Sequence, residues 1–249
     1  MGKKSSVAYF MKNYLSLPLS LKTIGRSIDR HGIIFPFRVI RFLYYKIFII
    51  RDLLYEITFD YKYGTKTGII VSHCQLDYKD AKIHKDAYGH VPTSPYATIS
   101  ALKALKKKCL HDLKSETIVD YGCGTGRMLI IAAESGFGNV TGIEMSPYLA
   151  KLCQRNIQKY SRSHKNLNIT VLEQDAVKYI PHVNDIVFHF YDPFNINVCK
   201  KVIANIKHSV QANPRTIYII DNRLKLDLST EGFEFVIEVK GIKIFKYSY

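Results

Sequence analysis

A glycine-rich segment between an apolar run and a helical pattern is the first candidate for chemistry. It reads Asp120-Tyr121-Gly122-Cys123-Gly124-Thr125-Gly126. Glycines let the backbone approach a ligand closely, because no Cβ intrudes. The spacing Gly-x-Gly-x-Gly differs from that of dinucleotide sites and suits a ligand without a pyrophosphate. Loop amides and a helix N-terminus can bind a carboxylate, and Asp120 can accept from an ammonium group. We therefore expect Asp120, Gly122, Gly124 and Gly126 to contact the amino-acid end of a ligand.

Two acidic residues follow at spacings that extend this site. Glu144 ends the next apolar run, and its carboxylate can accept hydrogen bonds from both hydroxyls of a ribose. Asp175 follows the third run and can accept from the exocyclic amine of adenine; the alternative is that it caps a helix beginning at Ala176. With Met145 and Ala176 beside them, these residues predict a site for S-adenosylmethionine, which joins an amino-acid end to a ribose and an adenine.

A second candidate site is the segment Tyr191-Asp192-Pro193-Phe194. It ends a fourth apolar run, and ligands of open α/β sheets bind beyond the carboxyl ends of the strands. Asp192 is then expected beside the transferable methyl group, with Tyr191 and Phe194 around the acceptor. Methyl transfer needs mainly alignment of the reacting atoms, and Asp192 or a tyrosine can take a proton from an ammonium acceptor. The alternative is that Asp192-Pro193 is only a turn that ends the strand.

The elements that must position these residues alternate between strands and helices from about residue 116 onward. Predicted strands cover residues 117–121, 139–144, 168–173, 185–191 and 215–221, and predicted helices cover 127–133, 146–161 and 195–210. Two last strands, 233–239 and 242–247, are joined by a tight turn and must be antiparallel. The pattern predicts an α/β fold: a doubly wound, mostly parallel seven-stranded sheet closed by a C-terminal antiparallel hairpin.

From about residue 117 onward, the chain resembles the class I (Rossmann-like) S-adenosylmethionine-dependent methyltransferases. A narrower resemblance, to a bacterial group likened to the non-SET protein-lysine methyltransferases, rests on residues 59–68, 91–95, 119–127, 142–147 and 190–194. That group has Asn-Pro-Phe where this chain has Asp192-Pro193-Phe194. The segment is also similar to the Asp/Asn-Pro-Pro-Tyr/Phe motif of enzymes that methylate amino groups, although the second proline is missing. The resemblance implies the cofactor and leaves the acceptor open.

The first 115 residues carry most of the positive charge. Of the net charge of +15, residues 1–60 and residues 61–115 contribute +6 each, which favours acidic partners unless the charges only form a solvated surface. The apolar and aromatic composition of residues 38–57 predicts a helix. Charged side chains interrupt this segment, which excludes a transmembrane span. This helix is expected either to pack on the core or to bind a partner or an anionic membrane surface. The core is expected to bind its cofactor without residues 1–60.

We divide the chain into a basic, aromatic-rich helical extension (1–60), a connecting and cofactor-covering segment (61–115) and a Rossmann-like core (116–249). In the connecting segment, the loop 88–96 contains Pro and Gly and is expected to fold over the methionine end of the cofactor. Thr93 is the expected contact, and Ser94 is expected to cap the helix that follows.

Composition narrows the class of protein further. Five scattered cysteines without a Cys-x-x-Cys pair argue against a disulfide framework or a zinc site and favour a reducing cytosol. No signal peptide is recognised, and His73, His84 and His90 lack metal-ligand spacing, so the expectation is a cytoplasmic enzyme without a metal.

The sequence thus predicts methyl transfer to an amino nitrogen, of a protein lysine or another amine. One alternative is an RNA or DNA acceptor, which the basic first 115 residues favour. Another is a non-catalytic scaffold with a methyltransferase-like fold, which the intact Asp120 and Asp192 argue against.

Overall fold

Seven strands form one sheet in the computed structural model of the chain, which describes residues 34–72, 76, 89–110, 112–164 and 168–249. The strands are β1 (Thr117–Tyr121), β2 (Asn139–Glu144), β3 (Asn168–Glu173), β4 (Asp185–Tyr191), β5 (Ile217–Asn222), β6 (Glu234–Val239) and β7 (Ile242–Tyr247). Their order is β3-β2-β1-β4-β5-β7-β6, with β1 to β5 parallel and β7 antiparallel to both β5 and β6. The predicted α/β fold with its C-terminal hairpin is confirmed.

Helices lie on both faces of this sheet. They are α1 (Ile34–Tyr63), α2 (Pro95–Lys108), α3 (Arg127–Ser135), α4 (Pro147–Ser161) and α5 (Ile196–Ala212), with a short 3-10 helix at Ala176–Lys178. Ser94 and Ser146 cap α2 and α4 by accepting hydrogen bonds from the amides of Ala97 and Leu149, and a proline follows each cap. Both caps agree with the sequence pattern, because Ser accepts at this position and Pro lacks the amide that a helix start leaves unpaired.

The central strands are buried on both faces because their alternate side chains enter two different apolar cores. Ile118 of β1 faces a core shared with α2, α3 and α4, whereas Val119 faces a core shared with α5. Strands covered on both faces read as continuous apolar runs, which is why the sequence pattern located them well.

Helix α1 extends the fold beyond the sheet and packs against α2. In its second half, Asp52, Glu56, Phe59 and Tyr63 face inward and are buried. The opposite face carries five exposed apolar side chains, each more than half exposed, which we name the outer stripe: Ile47, Ile50, Leu54, Ile57 and Tyr61. The helix therefore directs two acidic side chains into the protein together with two aromatic ones, and it also presents a row of apolar side chains outward, unlike an ordinary surface helix.

The described part of the chain has no helix of the length and apolarity that crossing a bilayer requires. Residues 1–33, His73 and His84 lie outside the described residues. The division of the chain at residues 60 and 115 stays a prediction; α1 itself continues to Tyr63.

Candidate functional site

A cavity of about 250 Å³ opens at the carboxyl ends of β1, β2 and β4. Ten of the predicted site residues line it: Thr93, Asp120, Gly122, Glu144, Met145, Asp175, Ala176, Tyr191, Asp192 and Phe194. Gly124 and Gly126 do not belong to the lining, so their contact with a ligand stays a prediction. The position agrees with the rule that ligands of open α/β sheets bind beyond the carboxyl ends of the strands.

Two glycines of the loop are required by close approach of neighbouring residues. Gly122 has a φ of 79°, and a Cβ there would lie 2.9 Å from the Cβ of Pro193. Gly124 has a φ of 55°, and its Cβ would meet the ring of His90 at 2.3 Å. Any side chain would therefore be strained and would clash. The glycine loop consequently contacts both the acceptor segment, through Pro193, and the covering loop, through His90.

Asp120 is paired with a histidine on the neighbouring strand. The two residues are register partners of β1 and β4, and Nδ1 of His189 lies 2.7 Å from Oδ1 of Asp120. Both side chains are buried, and both line the cavity. Nε2 of His189 has no hydrogen-bond partner among the described residues. A buried polar atom without a partner is costly, so its place on a cavity wall indicates contact with a ligand.

The carboxylate of Glu144 organises the backbone around the cavity. Its Oε2 accepts from the amide of Gly124 at 2.9 Å, and its Oε1 accepts from the amide of Ser146 at 2.8 Å. Burial raises the pKa of Glu144 to about 6, although these amides favour the ionised form. Each carboxylate oxygen has two lone pairs, so Glu144 can hold the loop and still accept from a ribose hydroxyl.

Asp175 caps a helix, which is the alternative that the sequence left open. Its Oδ1 accepts a hydrogen bond from the amide of Val177 at 2.9 Å at the start of the 3-10 helix. It also lines the cavity. A carboxylate has more acceptor sites than one cap uses, so the cap does not exclude a contact with an adenine amine.

The loop expected to cover the cofactor is anchored to four parts of the fold. His90 exchanges backbone hydrogen bonds with Val71 at 3.0 and 2.8 Å, and its Nε2 lies 3.1 Å from Oγ1 of Thr125 in the glycine loop. The hydroxyl of Thr93 is bonded to Thr98 of α2 at 2.8 Å, and the hydroxyl of Ser94 donates to Asp52 of α1. Burial and the nearby guanidinium of Arg127 lower the pKa of His90 to about 3, so its ring is neutral at physiological pH.

The acceptor segment has an unusual backbone at Asp192. This residue has a φ of 39°, in the left-handed region that few residues other than glycine adopt. Its amide donates to the carbonyl oxygen of Asn222 at 3.1 Å, and its carboxylate lies 3.6 Å from Nζ of Lys225. Strained residues of this kind cluster at functional sites. The segment is thus a turn, as the alternative interpretation held, and the same turn directs Asp192 to the cavity wall.

Four basic residues of the lining were not among the predicted site residues: His90, Arg127, His189 and Lys201. His189 carried a signal, because it is the polar member of the otherwise apolar run Phe188-His189-Phe190 and falls beside Asp120 once the strands are aligned. Arg127 directly follows the glycine loop, but the sequence does not indicate whether its side chain turns outward or inward. Lys201 lies on α5, and its helical position carries no comparable signal.

Comparison with known proteins concerns the part of the chain that builds this cavity. Residues 112–227 match the model of a family described as a methyltransferase domain. A provisionally assigned protein N5-glutamine methyltransferase of Methanocaldococcus jannaschii is 29% identical over 113 residues, which are 45% of this chain and 50% of that protein. The ribosomal protein L11 methyltransferase of Burkholderia thailandensis is 41% identical over 44 residues, which are 18% of this chain and 15% of that protein. The chain thus spans half or less of the length of these relatives.

Among solved structures, the 16S rRNA N2 G1207 methyltransferase of T. thermophilus aligns with a TM-score of 0.47 at 17% identity, covering 64% of this chain and 46% of that one. The matched residues of the family model include the glycine loop, Glu144, Asp175 and Asp192. They exclude α1 and the C-terminal hairpin.

Proposed function

We propose, from the match of residues 112–227 to a family of methyltransferase domains, that the chain transfers a methyl group from S-adenosylmethionine to an amino nitrogen. The observation that carries the proposal is Asp192, held in a left-handed backbone at the end of β4 beside Phe194, in the cavity that Asp120 and Glu144 also line. A carboxylate there can orient a nitrogen nucleophile and accept its proton.

The residues present fit the cofactor. Nε2 of His189, which has no partner in the described part of the chain, lies beside Asp120 and suits an ammonium group. Glu144 suits a ribose and Asp175 suits an adenine amine, while Gly122 keeps the loop free of a Cβ. When bound, S-adenosylmethionine supplies an activated methyl group on a sulfonium. The protein needs only to bind it, to align the acceptor and to remove one proton.

Asp192 and Phe194 are proposed to act on the acceptor. The Asp192 side chain is 38% exposed, and its carboxylate can pair with a cationic amine that enters from solvent. Asp192 then accepts a proton from the ammonium group, and the loss of this proton makes the nitrogen lone pair available. Phe194 is buried against Phe190, with the ring planes at 84°, which fixes an aromatic wall beside Asp192 that a cationic acceptor can contact.

A protein side-chain amine is the proposed class of acceptor. The two curated relatives named above act, by their names, on protein. The basic first 115 residues favour nucleic acid instead, so the experiment must separate the two classes. Purified protein is incubated with cell lysate and S-adenosylmethionine labelled in the methyl group, and the label is counted separately in protein, nucleic acid and small molecules.

The expected result is label in protein, lost in Asp192→Ala and retained in the control Glu238→Ala, which removes an exposed carboxylate on β6. Label in nucleic acid would overturn the acceptor class. Binding of S-adenosylhomocysteine without any transfer would instead support a non-catalytic scaffold.

We also propose that the outer stripe of α1 rests on an anionic lipid surface. The acidic residues Asp52 and Glu56 are buried on the inner face, whereas Arg51 and Lys62 are exposed. An apolar face flanked by basic side chains is typical of interfacial helices. Co-sedimentation with vesicles tests this: binding is expected to anionic vesicles at low salt and to weaken at high salt, and equal recovery with and without vesicles would contradict it.

A further inference from the structure

Arg127 lines the cavity, and its guanidinium is held by three separate segments. Arg127 is the first residue of α3 and is 2% exposed. Its Nη1 donates to both carboxylate oxygens of Glu56 in α1, at 2.7 and 2.6 Å. Nη1 also donates to the carbonyl oxygen of Thr93 at 3.2 Å, and Nε donates to Oγ1 of Thr67 at 3.0 Å. The side chain is thus fixed from α1, from the covering loop and from the segment between them.

One nitrogen of this guanidinium remains unused. Within the part of the chain that the structure describes, Nη2 of Arg127 has no hydrogen-bond partner. The adjacent N-terminus of α3 also has no side-chain cap, because Gly126 occupies the cap position. A buried cationic donor and a helix N-terminus without a side-chain cap both favour an anion. Since Arg127 lines the cavity, the anion would be a group of the ligand in that cavity.

The opposite requirement is found at His189. In the neutral tautomer whose Nδ1 donates to Asp120, Nε2 is an acceptor. Among the described residues, the cavity lining therefore includes a buried donor without a partner at Arg127 and a buried acceptor without a partner at His189. An α-amino acid carries a carboxylate and an ammonium group, and satisfies both.

We propose that Arg127 binds the carboxylate at the amino-acid end of S-adenosylmethionine, and that Glu56 of α1 positions Arg127 for this contact. The proposal rests on the proposed function, because it requires that cofactor. It makes α1 part of the cofactor site, which differs from the sequence-based expectation that residues 1–60 are dispensable for cofactor binding. Glu56 is a positioning residue, since its carboxylate contacts the guanidinium.

The test compares two ligands that differ in the amino-acid end. S-adenosylhomocysteine carries it, whereas 5′-methylthioadenosine has the same adenosine and thioether without it. In the double variant Glu56→Met/Arg127→Met, both charges are removed together, so that no buried charge is left unpaired. Calorimetry is expected to show a loss of S-adenosylhomocysteine affinity on the order of 10- to 100-fold, the scale of a charge-assisted hydrogen bond. Affinity for 5′-methylthioadenosine should change by no more than about twofold, as expected where no contact is lost.

Glu56→Gln and Arg127→Lys provide the second measurement. Gln keeps an acceptor for Arg127, and Lys keeps its charge without the planar fork. Each is expected to lose part of the S-adenosylhomocysteine affinity and none of the 5′-methylthioadenosine affinity. Equal losses for both ligands, or unchanged affinity for S-adenosylhomocysteine in folded variants, would overturn the proposal. Failure of the unaltered protein to bind either ligand would instead overturn the proposed function.

Discussion

The two walls of the cavity differ in how their charged side chains are held. On the proposed cofactor wall, Asp120 and Glu144 are buried, and each is fixed by hydrogen bonds to groups of the protein. On the proposed acceptor wall, the Asp192 side chain is 38% exposed and lies 3.6 Å from Nζ of Lys225, which is 46% exposed and is not part of the cavity lining. An exposed pair at this distance contributes little to stability. The proposed cofactor wall is therefore preorganised, whereas Asp192 on the proposed acceptor wall is held only loosely.

The largest effect is expected from Asp192→Ala. If the proposed acceptor wall serves only the acceptor, turnover at saturating cofactor should fall about 100-fold or more, the scale of losing a general base. Affinity for S-adenosylhomocysteine should stay within about threefold, because the interaction belongs to the transition state. Steady-state kinetics with the identified acceptor and calorimetry measure the two quantities. A collapse of cofactor affinity with intact turnover would make Asp192 a cofactor ligand and erase the distinction between the walls.

Glu144→Ala is expected to have the reverse effect, a larger loss of cofactor affinity than of turnover at saturating cofactor. It leaves backbone amides and the ribose without their acceptor, so the free energy of binding S-adenosylhomocysteine should weaken by about 1–3 kcal/mol. The matched control is Glu173→Ala, since Glu173 is the register partner of Glu144 on β3 and is exposed. NAD should not bind to the unaltered protein. Tighter binding of NAD than of S-adenosylhomocysteine would contradict the cofactor assignment.

The strand ends beside the cavity were also the part of the fold that the sequence located best. Asp120, Gly122 and Glu144 end or follow central strands, and these strands are continuous apolar runs that periodicity locates well. Once the parallel order is assumed, the strand ends meet at one edge. The local sequence pattern therefore locates both the strands and the residues at their ends.

The packing of α1 and the setting of Arg127 could not be predicted in this way. Helical spacing places Asp52 and Glu56 on one arc, which in isolation resembles a solvated face. The arc faces inward because Arg127 and Ser94 bind it, and these partners are 71 and 42 residues away along the chain. No local pattern encodes such a partner, so the outer stripe and the buried ion pair emerge only from tertiary contacts.

The pH dependence of cofactor binding should fall in the window set by Glu144. Burial raises the pKa of this carboxyl from 4.5 to about 6. Below that pH the protonated form accumulates and loses an acceptor, so S-adenosylhomocysteine affinity should drop about tenfold between about pH 7 and pH 5. The same titration of Glu144 changes the stability of the fold in the opposite direction to the cofactor affinity. A raised pKa means that the folded state binds more protons, so the free energy of unfolding decreases as pH rises from 4.5 to about 6.

Calorimetry at the two pH values tests this assignment, and Glu144→Gln is the control because its side chain does not titrate. The variant should bind more weakly than the unaltered protein at pH 7, with an affinity that is nearly independent of pH. If the variant retains the full pH dependence, another group on the cofactor wall titrates and Glu144 is not its source.

The smallest effect on folding, and the one most remote from both walls, is expected in the outer stripe of α1. Ile50 and Leu54 are exposed, so the double variant Ile50→Gln/Leu54→Gln should change the free energy of unfolding by no more than about 0.5 kcal/mol per residue. Cofactor affinity should not change, since Glu56 and Arg127 lie on the other face of the helix. Binding to anionic vesicles should be lost, because apolar side chains supply the part of interfacial binding that salt does not screen. Ile180→Gln/Val183→Gln is the matched control, since these residues are also exposed and apolar but lie outside α1. If both double variants reduce vesicle binding equally, the stripe has no specific role, and general surface hydrophobicity explains the binding.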